Sequence, residues 1–258
     1  MTNTTEYAGS ASLEDTTTSA QSECNGLLET FRGDKVIINN YGSIPHLSTS
    51  KMTQQADKKI HIGQEELLTK KVRDWKDLII VTEKLDGSNV GVVKKGGQCV
   101  PVGRSGYHAL TSPHEQHRFF VKYVTENESM FSWLPEGWRV CGEWMAQAHG
   151  TLYDITEESP FVAFDIFTAK DRVPYIYFVK RCSKHGIATV PLLHIGQPIK
   201  IENALKLLGD GRYGKAEKPE GVVYRMEREG KYEFLAKWVR ADKEDGKYMK
   251  SNIYNIGF

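Results

Sequence analysis

The chain has 258 residues, a length that suits one large domain or one domain with an appendage. Its 34 basic and 33 acidic residues leave a net charge of +1, so any nucleic-acid contact would need a local basic face. The sequence has no long apolar run and no basic-then-apolar leader, which argues against a membrane span or secretion and favours a cytoplasmic location. Its four cysteines are widely spaced, as expected for free thiols.

The N-terminal part of the chain changes character near residue 29. Residues 1–28 are rich in Thr, Ser, Asn and Glu, and they are predicted to form a disordered tail because little apolar surface offsets the entropy of ordering. A single domain is predicted over residues 29–258, with an extension over 29–75 and no separate C-terminal domain. Within the extension we expect a strand at 35–38, a loop at 40–47 and a helix at 64–72.

The stretch TEKLDGSN, residues 82–89, lies between two apolar runs at 78–81 and 90–93. This pattern predicts a β-hairpin that turns at Asp86-Gly87 and places Lys84 at the end of its first strand. A glycine at the turn would let a ligand approach the backbone closely. A lysine that is desolvated, or close to other cations, can lose its proton and become a nucleophile. The simpler alternative is a hairpin with a solvated lysine.

The remaining elements are mostly strands with helices between them. The patterns predict a third strand ending at 102–106, a helix over 113–126 capped by Ser112, strands at 138–144 and 161–167, helices at 175–184 and 202–208, and strands at 220–225 and 232–239 around a turn at 229–231. The expected strand at 161–167 is almost wholly apolar, which predicts burial on both faces. Antiparallel hairpins with interspersed helices indicate the α+β class.

Six residues at or near the ends of these strands form a chemically coherent set: Lys84, Arg104, Glu143, Phe164, Glu220 and Lys237. They supply a nucleophile, two cations, two carboxylates and an aromatic ring. Nucleotidyl transfer needs such a set, because cations bind phosphates, carboxylates hold a divalent metal and an aromatic ring stacks on a base. Each residue taken alone also has a structural explanation, and for Phe164 a plain core position is nearly as good a hypothesis.

Around these residues the sequence resembles the covalent nucleotidyltransferases, and within them the ATP-dependent RNA ligases of the phage T4 RNA ligase 2 type. Six family motifs are matched in order, at Lys84-Leu85-Asp86-Gly87, Arg104-Ser105-Gly106, Cys141-Gly142-Glu143-Trp144, Phe161-Val162-Ala163-Phe164-Asp165, Glu220-Gly221-Val222-Val223 and Ala236-Lys237-Trp238-Val239-Arg240. The resemblance implies an antiparallel-sheet nucleotidyltransferase domain, ATP-grasp-like, with flanking helices.

The resemblance also implies a role for each residue. Lys84 would become covalently adenylylated by ATP, and the AMP would pass to a 5′-phosphate RNA end before a 3′-hydroxyl attacks. The other implied roles are nucleoside contacts from Glu83 and Asn89, a sugar or phosphate contact from Arg104, a ribose or metal-water contact from Glu143, adenine stacking on Phe164, Mg²⁺ (or Mn²⁺) binding by Glu220 with Glu143, and an α-phosphate contact from Lys237. The RNA ends could belong to a nicked duplex or an RNA/DNA hybrid, and a partner protein could help to recognise them.

The match departs from the family in two places. The last motif usually carries two lysines in a Lys-x-Lys pattern, whereas Lys237 is flanked at that spacing by Leu235 and Val239, so Arg240 or another cation would have to substitute. The second departure is the expected lack of a C-terminal domain. Three alternatives therefore stay open: a capping-type guanylyltransferase, a DNA ligase, and a non-catalytic RNA-end-binding module that retains the fold.

Overall fold

A computed structural model of the protein describes residues 40–52, 57–156, 158–251 and 253–256. The predicted tail at 1–28 and the predicted strand at 35–38 lie outside these residues. The described residues form eight strands and four α-helices. The strands are β1 (Asp77–Lys84), β2 (Ser88–Lys95), β3 (Gln98–Gly103), β4 (Arg139–Trp144), β5 (Phe161–Phe167), β6 (Leu192–Gly196), β7 (Gly221–Arg228) and β8 (Lys231–Val239). The helices are α1 (Ile62–Thr69), α2 (Glu115–Glu126), α3 (Tyr175–Lys184) and α4 (Ile201–Leu208).

The strands form two four-stranded sheets. The first sheet has the order β6-β1-β7-β8 and the second has the order β3-β2-β4-β5. All pairings between these strands are antiparallel, which confirms the predicted α+β class.

No helix in the described part of the chain is both long and apolar enough to cross a membrane. Cys99, Cys141 and Cys182 carry free thiols, as predicted.

The predicted hairpin around Lys84 is wrong. Strand β1 pairs with β6 and β7, and β2 pairs with β3 and β4, so the turn at residues 85–87 carries the chain from one sheet to the other. Gly87 allows the close approach of β4, where a ligand was expected. A Cβ at this position would lie 2.4 Å from the Trp144 carbonyl oxygen. Two apolar runs around a turn look the same in sequence whether they pair together or with distant strands.

Side chains alternate along β1 and so join two cores. Ile79 and Val81 pack with Leu68 of α1 and Leu208 of α4 on one face. Ile80 belongs to the other core, which also contains the second-sheet residues and the helices α2 and α3. Burial on both faces explains the nearly continuous apolar run before Lys84. The end of β1 is therefore held rigidly from two sides.

Helix α2 packs on the second sheet through an aromatic cluster. The ring centroid of Phe120 lies 5.3 Å from that of Trp144 and 5.7 Å from that of Phe161. The predicted cap of this helix is wrong, because the helix begins at Glu115 with His114 as its N-cap. Ser112 instead follows a short 3₁₀ turn, and its Oγ accepts a hydrogen bond from the His114 main-chain N–H at 3.2 Å.

The other predicted elements mostly match the structure. Helix α3 has the predicted bounds, and α4 ends at Gly209, which has a φ of 61°. Strand β6 was not expected from the sequence. It is a five-residue edge strand in which Leu192 and Ile195 are exposed, so it lacks the burial pattern that marks a strand.

The predicted loop at 40–47 runs partly alongside β8. The Leu47 N–H donates to the Lys237 carbonyl at 2.9 Å, and the Lys237 N–H donates to the Pro45 carbonyl at 2.9 Å. The Lys51 N–H then donates to the Val239 carbonyl at 3.1 Å. This parallel contact covers the open edge of β8 and brings the residues before it to the same end of the sheets.

Candidate active site

One cavity of about 1070 Å³ takes lining residues from both sheets. All eight residues predicted for the site border this cavity: Glu83, Lys84, Asn89, Arg104, Glu143, Phe164, Glu220 and Lys237. They come from β1, β2, β4, β5 and β8 and from the turns next to β3 and β7. The strand ends therefore converge in space, although their individual roles stay predictions.

Lys84 is the last residue of β1, and strand pairing places it beside Glu220. The register aligns Lys84 with Gly221, so the preceding Glu220 reaches the lysine. Lys84 Nζ lies 2.5 Å from Glu220 Oε2 and donates to the Leu85 carbonyl at 3.3 Å. Burial alone would lower the pKa of Lys84, but the carboxylates of Glu220, Glu143 and Asp86 outweigh it, and the pKa is raised. The lysine is thus an ammonium in this state.

Glu143 reaches Lys84 from the second sheet. It lies opposite Asn89 in the β2–β4 ladder, and its Oε1 accepts a hydrogen bond from the Gly87 N–H at 2.9 Å. Burial raises the pKa of Glu143 to about 7, and the nearby Lys84 and the Gly87 N–H only partly oppose this. A buried carboxyl group with so high a pKa lacks sufficient positive charge around it.

Glu143 and Glu220 fit a divalent metal that is shared with a substrate phosphate. Among the described residues, no group of three or more His, Cys, Asp or Glu could hold a metal ion unaided. Mg²⁺ commonly uses one or two carboxylates and completes its shell with water and phosphate oxygens. Two carboxylates from opposite sheets, one of them with a raised pKa, meet that requirement.

An aromatic pair borders the cavity next to Arg104. The Phe164 ring centroid lies 5.0 Å from that of Tyr41 in an edge-to-face arrangement. Arg104 is exposed, and its guanidinium donates to the Gly42 carbonyl at 2.6 Å and to Ser43 Oγ at 3.0 Å. The segment before α1 thus supplies one wall of the site, and Arg104 holds that wall in place.

Glu83 borders the cavity, but its carboxylate is held on the side of β1 opposite to Lys84, since neighbouring side chains alternate along a strand. The residue is 1% exposed, and its Oε2 accepts a hydrogen bond from the Arg212 N–H at 2.9 Å. Burial raises the pKa of Glu83 to about 7, despite the opposing effect of that hydrogen bond. A nucleoside contact by this carboxylate stays a prediction.

Lys237 projects from β8 next to a buried histidine. Its Nζ lies 3.8 Å from Asp57 Oδ1, and His46 Nε2 lies 3.3 Å from Asp57 Oδ2. Burial, followed by the charge of Lys84, lowers the pKa of Lys237. His46 is 1% exposed and its Nδ1 lies 2.7 Å from Ser50 Oγ, so the segment beside β8 supports the position of Lys237.

The structure adds a cation that the sequence analysis missed. Lys243 has a side chain that is 1% exposed, and its Nζ lies 3.0 Å from Asp86 Oδ1 and 3.1 Å from Glu220 Oε1. Arg240, the substitute considered from the sequence, pairs with Asp242 instead. No sequence signal distinguishes Lys243, because it lies in the charged run DKEDG, which resembles a solvated turn.

Besides His46, four histidines border the cavity: His108, His114, His117 and His149. His149 Nε2 lies 3.2 Å from Gln116 Nε2, and the rings of His114 and His117 are 5.9 Å apart. His149 is not among the residues predicted for the site from the sequence. Its position next to Gly150, whose N–H donates to Asp86 Oδ2 at 2.8 Å, explains why the cavity includes it.

Comparisons with known proteins identify the family of this chain. The model of the RNA ligase family matches residues 77–239, which is more than half of the chain. The search of curated proteins finds no match. The chain therefore belongs to the RNA ligase family, and the first and last residues of the matched segment are the start of β1 and the end of β8.

Solved structures share the fold. A Naegleria gruberi RNA ligase variant with ATP and Mn is 16% identical with a TM-score of 0.52, over 80% of this chain and 59% of that one. An archaeal ATP-dependent RNA ligase is 19% identical with a TM-score of 0.51, over 78% of this chain and 48% of that one. The matched part of this chain thus spans about half to three-fifths of those proteins, and the likeness concerns the nucleotidyltransferase-type fold.

Proposed function

We propose that this chain is an ATP-dependent RNA ligase of the phage T4 RNA ligase 2 type, which joins 5′-phosphate and 3′-hydroxyl RNA ends in RNA repair. The observation that carries the proposal is the position of Lys84, whose Nζ lies in a cavity bordered by every other residue of the predicted set. Family membership and structural neighbours that include an ATP-dependent ligase support it.

In the first step Lys84 acts on ATP. The ammonium loses its proton, Nζ attacks the α-phosphorus, an N–P bond forms, and the bond from that phosphorus to pyrophosphate breaks. Lys237 would bind the α-phosphate, and its charge also disfavours a second ammonium nearby. A bound Mg²⁺ or Mn²⁺, held by Glu143 and Glu220, would neutralise the carboxylate and phosphate charge that keeps Lys84 protonated.

The next two steps use the stored AMP. An oxygen of the RNA 5′-phosphate attacks the AMP phosphorus, the N–P bond breaks, and Lys84 leaves as an amine that takes up a proton. The RNA 3′-hydroxyl then attacks the 5′-phosphate phosphorus, loses its proton and displaces AMP. The covalent intermediate divides one difficult reaction into easier displacements, and positioning supplies much of the rate.

The decisive experiment is covalent labelling with ATP that carries a label on its α-phosphate, in the presence of Mg²⁺. The wild-type protein should take up the label in a bond that acid breaks and base does not. Lys84→Ala should take up none, whereas Lys122→Ala, which changes an exposed lysine of α2, should label like wild type. Labelling that persists in Lys84→Ala would refute the assignment.

The alternatives give different outcomes in the same assay. Labelling by GTP in place of ATP would indicate a capping-type guanylyltransferase. A folded protein that binds RNA ends but takes up neither label would be a non-catalytic module. Sealing should then be tested on nicked duplexes with each strand as RNA or DNA, and on single strands. Sealing of all-DNA nicks alone would indicate a DNA ligase, and sealing that requires a cell extract would indicate a partner for end recognition.

A further inference from the structure

Lys243 is buried in a way that is unusual for a lysine. It follows the end of β8 by four residues and lies outside the segment that matches the family model. Its three ammonium hydrogens face three carboxylates, since Nζ lies 3.0 Å from Asp86 Oδ1 and 3.1 Å from both Glu220 Oε1 and Asp245 Oδ1. Lysines are seldom fully buried unless paired in this way. With its donors engaged, Lys243 differs from Lys237, which among the described residues pairs only with Asp57, at 3.8 Å.

Two carboxylates, those of Glu220 and Asp86, each contact Lys243 with one oxygen and another group with the second oxygen. Glu220 turns one oxygen to Lys243 and the other to Lys84, at 3.1 and 2.5 Å. Asp86 turns one oxygen to Lys243 and the other to the Gly150 N–H, at 3.0 and 2.8 Å. Each contact fixes the rotation of a carboxylate next to Lys84. Without Lys243, both carboxylates would be buried with one oxygen less well paired.

Lys243 is itself held in place from several sides. Its carbonyl accepts a hydrogen bond from Lys51 Nζ, and its N–H donates to the Arg240 carbonyl at 3.3 Å. Gly150 packs against its side chain, because a Cβ at Gly150 would lie 2.6 Å from Lys243 Cε and 2.3 Å from the Glu244 carbonyl oxygen. The segments before β1 and after β8 thus meet at this lysine.

We propose that Lys243 is a positioning residue for the nucleophile, which holds Asp86 and Glu220 so that Lys84 is aligned for attack. The inference rests on the proposed ligase function. The proposal adds to the site a residue that follows β8. Both the charge and the position of the Lys243 side chain can be tested by substitution. Lys243 acts through the two carboxylates, because its ammonium group already faces Asp86, Glu220 and Asp245.

The first test compares Lys243→Met, Lys243→Arg and Lys247→Met. Lys247 is a matched control, because it also pairs with a carboxylate, Glu217, but does not border the cavity. The rate of lysyl-AMP formation at saturating ATP should fall by about a hundredfold in Lys243→Met, the cost of a misplaced reacting group. The ATP concentration for half-maximal rate should stay near the wild-type value. Lys243→Arg should recover much of the loss, and Lys247→Met should show none.

A second variant displaces Lys243 without changing its charge. Gly150→Ala would push a methyl group into Lys243 Cε, so it should slow labelling as Lys243→Met does. Gly63→Ala, in which the added Cβ meets nothing closer than 3.4 Å, is the steric control. In both Lys243→Met and Gly150→Ala, amide hydrogen exchange should speed up in peptides covering residues 85–89 and 148–153, and stay unchanged in α3.

The outcomes separate this inference from the proposed function. Wild-type labelling rates in a folded Lys243→Met protein would overturn the inference, and so would equal losses in Lys243→Met and Lys243→Arg. If the wild-type protein takes up no label, the ligase proposal fails. The exchange measurement then still decides about Lys243, because unchanged exchange at 85–89 in Lys243→Met would refute its hold on Asp86.

Discussion

Two buried charge clusters link the parts of this protein, and they are built differently. The Asp165 cluster consists of Asp165, Arg172, Arg225 and Glu227, and the lysine cluster consists of Lys84, Lys243, Asp86, Glu143, Glu220 and Asp245. The first cluster joins β5 to β7 across the two sheets. The second surrounds the end of β1. Both clusters bury carboxylates and cations at close range. Burial by itself therefore does not distinguish a cluster that stabilises the fold from one at a candidate active site.

The Asp165 cluster is balanced, with two arginines facing two carboxylates. Arg225 donates at 2.6 Å to each of three acceptors: Asp165 Oδ1, Glu227 Oε1 and the Val173 carbonyl. Asp165 also accepts from the Tyr41 hydroxyl at 2.7 Å, and Arg172 Nε lies 3.1 Å from Asp165 Oδ2. A charge cluster in which cations and carboxylates are equal in number and closely paired rigidifies the fold, although Asp165 and Arg225 also border the cavity.

The lysine cluster is not balanced, because its two lysines face the enclosed carboxylates of Asp86, Glu143 and Glu220, and also that of Asp245, which is 46% exposed at its edge. The raised pKa of Glu143, about 7, is a direct result of burial among too few cations. Such a cluster favours the binding of further positive charge, such as the proposed divalent metal. The comparison teaches that the charge imbalance, rather than the number of ion pairs, distinguishes the cluster around the proposed nucleophile.

Removing a cation from the balanced cluster should have the largest effect on stability. Arg225→Met leaves two buried carboxylates without their main partner, and it should lower the free energy of unfolding by about 3–5 kcal/mol. Urea unfolding would measure this. Lys231→Met, an exposed change on β8, should shift stability by less than about 0.5 kcal/mol. Equal effects from the two changes would show that the Asp165 cluster does not stabilise the fold.

Removing a carboxylate from the lysine cluster should affect rate more than stability. Glu220→Gln keeps the shape but loses the charge, and it should slow lysyl-AMP formation by about a hundredfold, which corresponds to roughly 3 kcal/mol in the barrier. Initial labelling rates would test this, with Glu66→Gln on the exposed face of α1 as the control. Labelling at the wild-type rate would take Glu220 out of the site.

The free energy of unfolding should depend on pH because ionisation of the buried Glu83 destabilises the fold. Its pKa is raised from 4.5 to about 7 by burial, so its favourable contribution is complete below pH 4.5 and is lost as the pH rises through 7. Relative to Glu83→Gln, the wild-type protein should lose up to about 3 kcal/mol between pH 4.5 and pH 8. Urea unfolding at both pH values would measure this, and parallel curves for the two proteins would contradict it.

A well-paired carboxylate should show the opposite trend, with the smallest effect. Burial alone would raise the pKa of Asp77, but hydrogen bonds from Arg73 and Arg228 lower it from 3.8 to about 2. Its contribution is present above pH 3.8 and is lost as the pH falls through 2. Relative to Asp77→Asn, the wild-type protein should lose about 2 kcal/mol over that interval, measured by thermal or urea unfolding. A wild-type advantage that persists at pH 2 would contradict this.

Local patterns predicted most elements but not their partners. The strand at 161–167 and the helix at 175–184 have the predicted bounds, because continuous burial and helical periodicity are local properties. The hairpin around Lys84 was wrong because pairing depends on strands far along the chain. Strand β6 was missed because an exposed edge strand carries no clear pattern.

The candidate site divides in the same way. The eight predicted residues that border the cavity could be chosen from the sequence, because their types and order along the chain carry the chemistry. Lys243 could not be chosen, since its burial depends on contacts with Asp86 and Glu220 from other parts of the chain. The charge state of Lys84 without ligands also depends on the tertiary structure, because three carboxylates surround one amine.

The sequence by itself thus determined the α+β class, most strands and helices, and the residues with chemistry at their ends. Only the tertiary structure decided that β1 and β2 lie in different sheets and that Lys84 meets Glu220, 136 residues away. It also decided which charge cluster is balanced. The physical reason is that propensity and alternation act over a few neighbouring residues, whereas pairing, burial and electrostatics act between residues that only folding brings together.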